Sequence, residues 1–136
     1  MAEAALSDFD WDISVPPREG VKWIPKGKLA DLSEFHWRGP YFGNKNFTIT
    51  YPFGRYSEFD PIIPYDAEGK GISIEDMLTT IYEYYQEPIP PQELKMFREE
   101  GYEEPFNKRI DVMNNLVRFE GLTEIAPRDF VLNLGS

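Results

Sequence analysis

The stretch GKGISIEDMLTTIYEYYQEPIPPQEL, residues 69–94, carries the start, the buried face and the end of one helix, and the start of a second. Ser73 is a good N-cap, and Asp76, at the third helical position, makes a weaker form of the capping box. The apolar side chains that follow recur at the spacing of one helix face: Ile74, Met77, Leu78, Ile81, Tyr82 and Tyr85. Prolines from Pro88 onward end this helix. We therefore predict a main helix over residues 73–86 and a shorter one over residues 91–100.

Strands are indicated where apolar side chains occupy every second position. Residues 9–15 alternate in this way before Pro16 and Pro17, and residues 46–53 do so after turn residues at 43–46, which favours a hairpin. Together with the helices, these patterns predict an α+β fold in which a mostly antiparallel sheet packs against the main helix and the shorter helix.

The C-terminal third adds two strands and a helical turn. Residues 117–119 and 130–134 alternate apolar and polar side chains on either side of a loop at Ala126 and Pro127. Residues 110–113 fit a short helical turn, and spacing alone leaves open a longer helix over residues 107–116. We expect one α+β domain over residues 9–136 and a flexible acidic tail over residues 1–8.

The composition limits the function classes. The chain has no cysteine, which removes disulfides, thiolate nucleophiles and Cys-ligated zinc or iron–sulfur centres. It has no long apolar run and its N-terminus lacks the features of a signal peptide, so we expect an intracellular protein, cytoplasmic or nuclear, without a membrane span.

Charge is unevenly spread along the chain, whose formal net charge is −10. Residues 75–104 hold nine acids against two bases, whereas residues 18–45 hold six bases against three acids. This balance disfavours nucleic-acid binding, which needs a basic footprint, and permits a basic protein partner. The simpler interpretation is that the helices expose acidic faces for solubility.

No motif indicates catalysis or a cofactor. His36 is the only histidine, and nothing in the sequence places a nucleophile or an orienting acid beside it, so a role at the edge of the core is favoured. Asp8, Asp10 and Asp12 lack the glycine and the later glutamate of a calcium loop. We expect a protein that is not an enzyme and has no metal site.

Folding does not explain every residue of the main helix. Glu75, Glu83, Tyr84 and Glu87 lie off its apolar face. Tyr84 is expected to be exposed, either as an anchor for a partner or, as is favoured, as a surface aromatic without a role. A small basic patch lies elsewhere in the sequence. The candidate interaction surface therefore consists of two sets: Glu75, Glu83, Tyr84 and Glu87, and Lys22, Lys26 and Lys28.

Four segments in a fixed order carry a resemblance to a known family: WDISVPP, ISIEDMLTTIYEYYQEPIPPQEL, RIDVMNNLVRFEGL and FVLNL. They span nearly the whole chain. In their order and spacing the sequence resembles a family of small uncharacterised fungal proteins with a domain of unknown function, to which sequences of large DNA viruses of protists are also related. The resemblance implies a compact α+β domain and transfers no activity and no site residue.

Three functions are compatible with these observations. The first is a non-enzymatic intracellular protein-interaction module with an acidic helical face and a protein partner, which includes the option of a homodimer. The second is a small-molecule-binding or carboxylate-based enzymatic domain. The third, which rests on the viral side of the resemblance, is a viral structural or host-directed factor present in the virion.

Overall fold

A computed structural model describes residues 8–24, 27–30, 48–50, 62–64, 71–99, 101, 107–113 and 116–135. Within them the protein has an α+β fold. The helices are α1 (Pro17–Gly20), α2 (Ile74–Gln86), α3 (Pro91–Glu99) and a 3-10 helix (Arg109–Met113). The strands are β1 (Phe9–Asp10), β2 (Lys22–Trp23), β3 (Thr48–Thr50), β4 (Arg118–Ala126) and β5 (Asp129–Gly135).

The two predicted helices form at the predicted places. The Ser73 side chain accepts the Asp76 N–H, and the Asp76 carboxylate accepts the Ser73 N–H, both at 3.0 Å, so the capping box is complete. Helix α2 ends where Glu87 turns to extended backbone before Pro88. After α3, Gly101 has a φ of 88° and donates its N–H to the Arg98 carbonyl, a left-handed ending that glycine adopts without strain.

The sheets are small and mostly antiparallel. β1 pairs with β2 in one sheet, and the order in the other is β3-β5-β4. The two predicted C-terminal strands form as β4 and β5, which pair as an antiparallel hairpin; Ala126, expected in the loop, belongs to β4, and Pro127 and Arg128 form the turn. The chain at Trp11–Ile13 runs beside the start of β4, since Phe119 donates to the Trp11 carbonyl and Ile13 to the Val117 carbonyl.

One hydrophobic core joins the helix to both sheets. The face of α2 that carries Met77, Leu78 and Ile81 is fully buried against Ile49 of β3 and Leu132 of β5. The N-terminal alternation enters the same core through the buried side chains of Phe9, Trp11 and Ile13. A second, smaller cluster beneath α3 contains Ile89, Leu94, Phe97 and Val112.

Two features differ from the sequence-based expectations. β3 pairs with β5 in parallel and its other described bridge joins Ile49 to Ile62, two pairings that the sequence did not predict; the turn of the hairpin predicted here lies outside the described residues. Pro17, which was expected only to end a strand, begins the four-residue helix α1, because proline is suited to the first helical position.

Several expectations fall outside the described residues. They are the tail up to residue 7, the hairpin turn at 43–46, the surroundings of His36, and the end of the shorter helix at residue 100. Within residues 107–113 the structure has the 3-10 helix and no longer helix.

Candidate functional site

A groove runs along the outer face of α2, between that helix and the N-terminal end of α1. Its volume is about 320 Å³. One wall is formed by Pro16, Pro17 and Arg18. The other wall is the α2 face opposite the core: Glu75, Asp76, Thr79, Thr80, Tyr82 and Glu83. The lining carries three carboxylates against one guanidinium, a net charge of −2.

Glu75 lies at one end of this α2 groove and is held by Arg18. The Arg18 Nε–H donates to Glu75 Oε1 at 3.1 Å, and Nη2 donates to the same oxygen. The Glu75 side chain is only 13% exposed, whereas the Arg18 side chain is 66% exposed. The groove therefore contains a largely buried carboxylate whose cationic partner faces solvent.

The other side chains of the α2 wall differ in whether contacts within the protein already engage them. Asp76 is engaged by the capping box, and the Thr80 hydroxyl donates to the Asp76 carbonyl at 2.7 Å within the helix. Tyr82 is half-buried and packs against the core. Glu83 is exposed, so its carboxylate is accessible to a cation in the groove.

Tyr84 is not exposed, although the sequence predicted that it would be. It is half-buried, and the Arg109 guanidinium carbon lies 4.6 Å from the centre of its ring. Arg109 Nη1 also donates to the Tyr84 hydroxyl at 3.3 Å. A signal for this burial was present, because Tyr84 follows Ile81 by three residues and Met77 by seven, and both of these side chains are in the core.

Arg109 joins α2 to α3. Its side chain is 9% exposed, and Nη1 donates to Glu93 Oε1 at 3.0 Å. Glu87, 55% exposed, lies on the other side with Oε2 at 3.5 Å from the Arg109 Nε. The Arg109 N–H donates to the Glu87 carbonyl, which fixes the 3-10 helix against the end of α2. These contacts give Tyr84 and Glu87 a role in packing.

The structure thus divides the acidic part of the predicted surface. Glu75 and Glu83 share the α2 groove, while Tyr84 and Glu87 contact Arg109. The sequence analysis missed Arg18 and Arg109 because no local motif reaches their partners on α2. Glu75 is 57 residues from Arg18, and Tyr84 is 25 residues from Arg109.

The basic part of the predicted surface is only partly described. Lys22 in β2 and Lys28 are exposed, and Lys26 lies outside the described residues. Lys22 pairs with Asp10 through the β1–β2 ladder. In the described part of the chain, neither lysine lines the α2 groove.

A second cavity of about 360 Å³ lies at the junction of β1 and β4. Its charged lining includes Asp8, Asp10, Arg118 and Glu120. Arg118 and Asp10 form an ion pair at 3.6 Å, and their side chains are 61% and 44% exposed. Water screens such an exposed pair, so the pair is expected to attract a charged ligand only weakly.

The described residues contain neither a metal-binding cluster nor a membrane-spanning helix. Over the described ranges, no three histidine, aspartate or glutamate side chains are grouped closely enough to hold a metal ion. The helices of that part of the chain are too short or too polar to span a bilayer.

Comparisons with protein-family models, with curated proteins and with solved structures give no match for this chain. The resemblance to fungal and viral proteins therefore stays a prediction, and the α2 groove has to be interpreted from its own geometry and charge.

Proposed function

We propose that this protein is a non-enzymatic interaction module that binds a basic protein segment in the α2 groove. The observation that supports this proposal is the combination of a proline wall with a carboxylate wall on the outer face of α2. Packing of the core uses the opposite face and the capping box uses Asp76, so neither of them accounts for Glu75 and Glu83.

The chemistry of the lining suits an extended segment with lysine or arginine side chains. Glu83 offers an exposed carboxylate for a cationic head group. Pro16 and Tyr82 offer apolar surface for the aliphatic stem of such a side chain. Since each exposed charge pair contributes about 0.2–1 kcal/mol, the expected affinity depends on several such contacts made together.

The experiment measures binding of a fluorescent lysine- and arginine-containing peptide by anisotropy, with Glu83→Gln as the groove variant. Glu99→Gln is the matched control, because it removes the same charge from α3, where Glu99 is 65% exposed and 4.0 Å from Lys95. We expect Glu83→Gln to weaken binding about two- to fivefold and Glu99→Gln to change it little. Binding should also weaken with added salt.

Equal effects of Glu83→Gln and Glu99→Gln would contradict the proposal, since binding would then reflect only the overall negative charge. The homodimer, the carboxylate enzyme, the viral factor and the intracellular location have no further support in the described residues and stay predictions from the sequence.

A further inference from the structure

We propose that Arg18 is an internal competitor in the α2 groove, and that the partner displaces it with an arginine of its own that binds Glu75. This inference rests on the proposed docking function and names the side chain that the groove selects. It is supported by the contact inside the groove between the exposed guanidinium of Arg18 and the largely buried carboxylate of Glu75.

The difference in burial makes the two partners unequal. Glu75 is 13% exposed on the rigid helix α2, and a carboxylate withdrawn from water to this extent requires a cation or hydrogen-bond donors. Arg18 is 66% exposed, so it returns to full hydration at little cost when it leaves. A second guanidinium can therefore replace Arg18 and still provide Glu75 with a cation and hydrogen-bond donors.

Release of Arg18 needs no change in the backbone. The turn into α1 is held by bonds that do not involve the Arg18 side chain: Trp11 Nε1 donates to the Val15 carbonyl at 2.7 Å, and the Glu19 and Gly20 N–H groups donate to the Pro16 carbonyl. Rotation of the side chain alone opens the end of the groove.

The present contact also indicates which cation fits. Arg18 presents two N–H groups, Nε and Nη2, to one oxygen of Glu75, a geometry that a planar guanidinium provides and a lysine ammonium does not. An incoming arginine can reproduce this contact while its stem lies along the proline wall. The groove is therefore expected to prefer arginine to lysine at this position.

The test uses two acetylated octapeptides, one with two arginines in a Gly-Ser background and one with lysines in their place, titrated against the full chain and variants. Arg18→Ala is compared with Arg98→Ala, which makes the same change in net charge at an exposed position of α3. Thermal melts establish that both variants are folded.

We expect Arg18→Ala to bind the arginine peptide about two- to fivefold more tightly than Arg98→Ala does, because the ion pair between the exposed Arg18 and Glu75 no longer has to be broken. The gain should be smaller for the lysine peptide, and adding Glu75→Gln to Arg18→Ala should abolish it. In nuclear magnetic resonance spectra, the Arg18 Nε–H signal should shift when the arginine peptide is added to the unmodified protein.

Equal affinities of Arg18→Ala and Arg98→Ala for the arginine peptide would overturn this inference. If Glu83→Gln still weakened binding in that case, the proposed function would stand without it. If neither peptide bound the unmodified protein or any variant at low salt, the proposed function itself would fail.

Discussion

Replacing Arg109 by methionine should cost much of the stability of this fold. Methionine keeps the unbranched apolar stem and removes the guanidinium that Glu93 depends on. Glu93 is 16% exposed, its Oε1 accepts from Arg109 at 3.0 Å, and its Oε2 is buried without a hydrogen-bond partner among the described residues. The variant therefore leaves a mostly buried carboxylate with no cation beside it among the described residues.

The expected cost follows from the burial of both partners. Removing one side of a buried ion pair typically costs about 3–5 kcal/mol, because the remaining charge stays out of water. The contact of Arg109 with the Tyr84 ring adds about 0.5–2 kcal/mol. Since domains of this size are stable by only about 5–15 kcal/mol, Arg109→Met should lower Tm by roughly 10 °C or more.

The assay is urea unfolding followed by circular dichroism and tryptophan fluorescence, with two further variants. Glu87→Gln removes the 55% exposed partner and should cost less than about 1 kcal/mol. The double variant Arg109→Met/Glu93→Gln removes the stranded charge and should recover part of the loss. The reasoning is refuted if Arg109→Met costs no more than Glu87→Gln, or if the double variant is no more stable than Arg109→Met.

Two further predictions concern the ends of the helices. Ser73→Ala removes the acceptor for the Asp76 N–H and should destabilise the protein by about 1 kcal/mol in urea unfolding, while Ser73→Thr, which keeps the hydroxyl, should retain most of the stability. Gly101→Ala places a Cβ in open space but at a φ of 88°, so strain alone should cost about 1–2 kcal/mol. Gly101→Asn should cost less, because asparagine tolerates this conformation, and an equal cost for both variants would argue against the left-handed ending.

The local elements could be read from the sequence because each is specified by neighbours along the chain. The capping box needs residues three apart, the buried face of α2 needs helical spacing, and the two C-terminal strands need two alternating runs around Pro127. Each of these features is confirmed. The N-terminal alternation also gave the correct buried side chains at Phe9, Trp11 and Ile13, whereas Val15 is only half-buried and only Phe9–Asp10 forms a paired strand.

The candidate site could be predicted only in part. Spacing identified Glu75 and Glu83 as residues that the core does not use, and both line the α2 groove. It also assigned Tyr84 to the exposed side, which is wrong because Arg109 covers its ring. A local pattern predicts on which face of its own helix a side chain lies. It does not predict which segment, distant in sequence, packs over that face.

By itself, the sequence determined an α+β chain with one capped helix, a proline stop, two C-terminal strands and an acidic outer helix face. The parallel pairing of β3 with β5, the burial of Arg109 between α2 and α3, and the placement of Arg18 against Glu75 were decided by the tertiary structure. The physical reason is that spacing along the chain encodes contacts over a few residues, whereas a groove and its counter-charge form only when segments distant in sequence pack together.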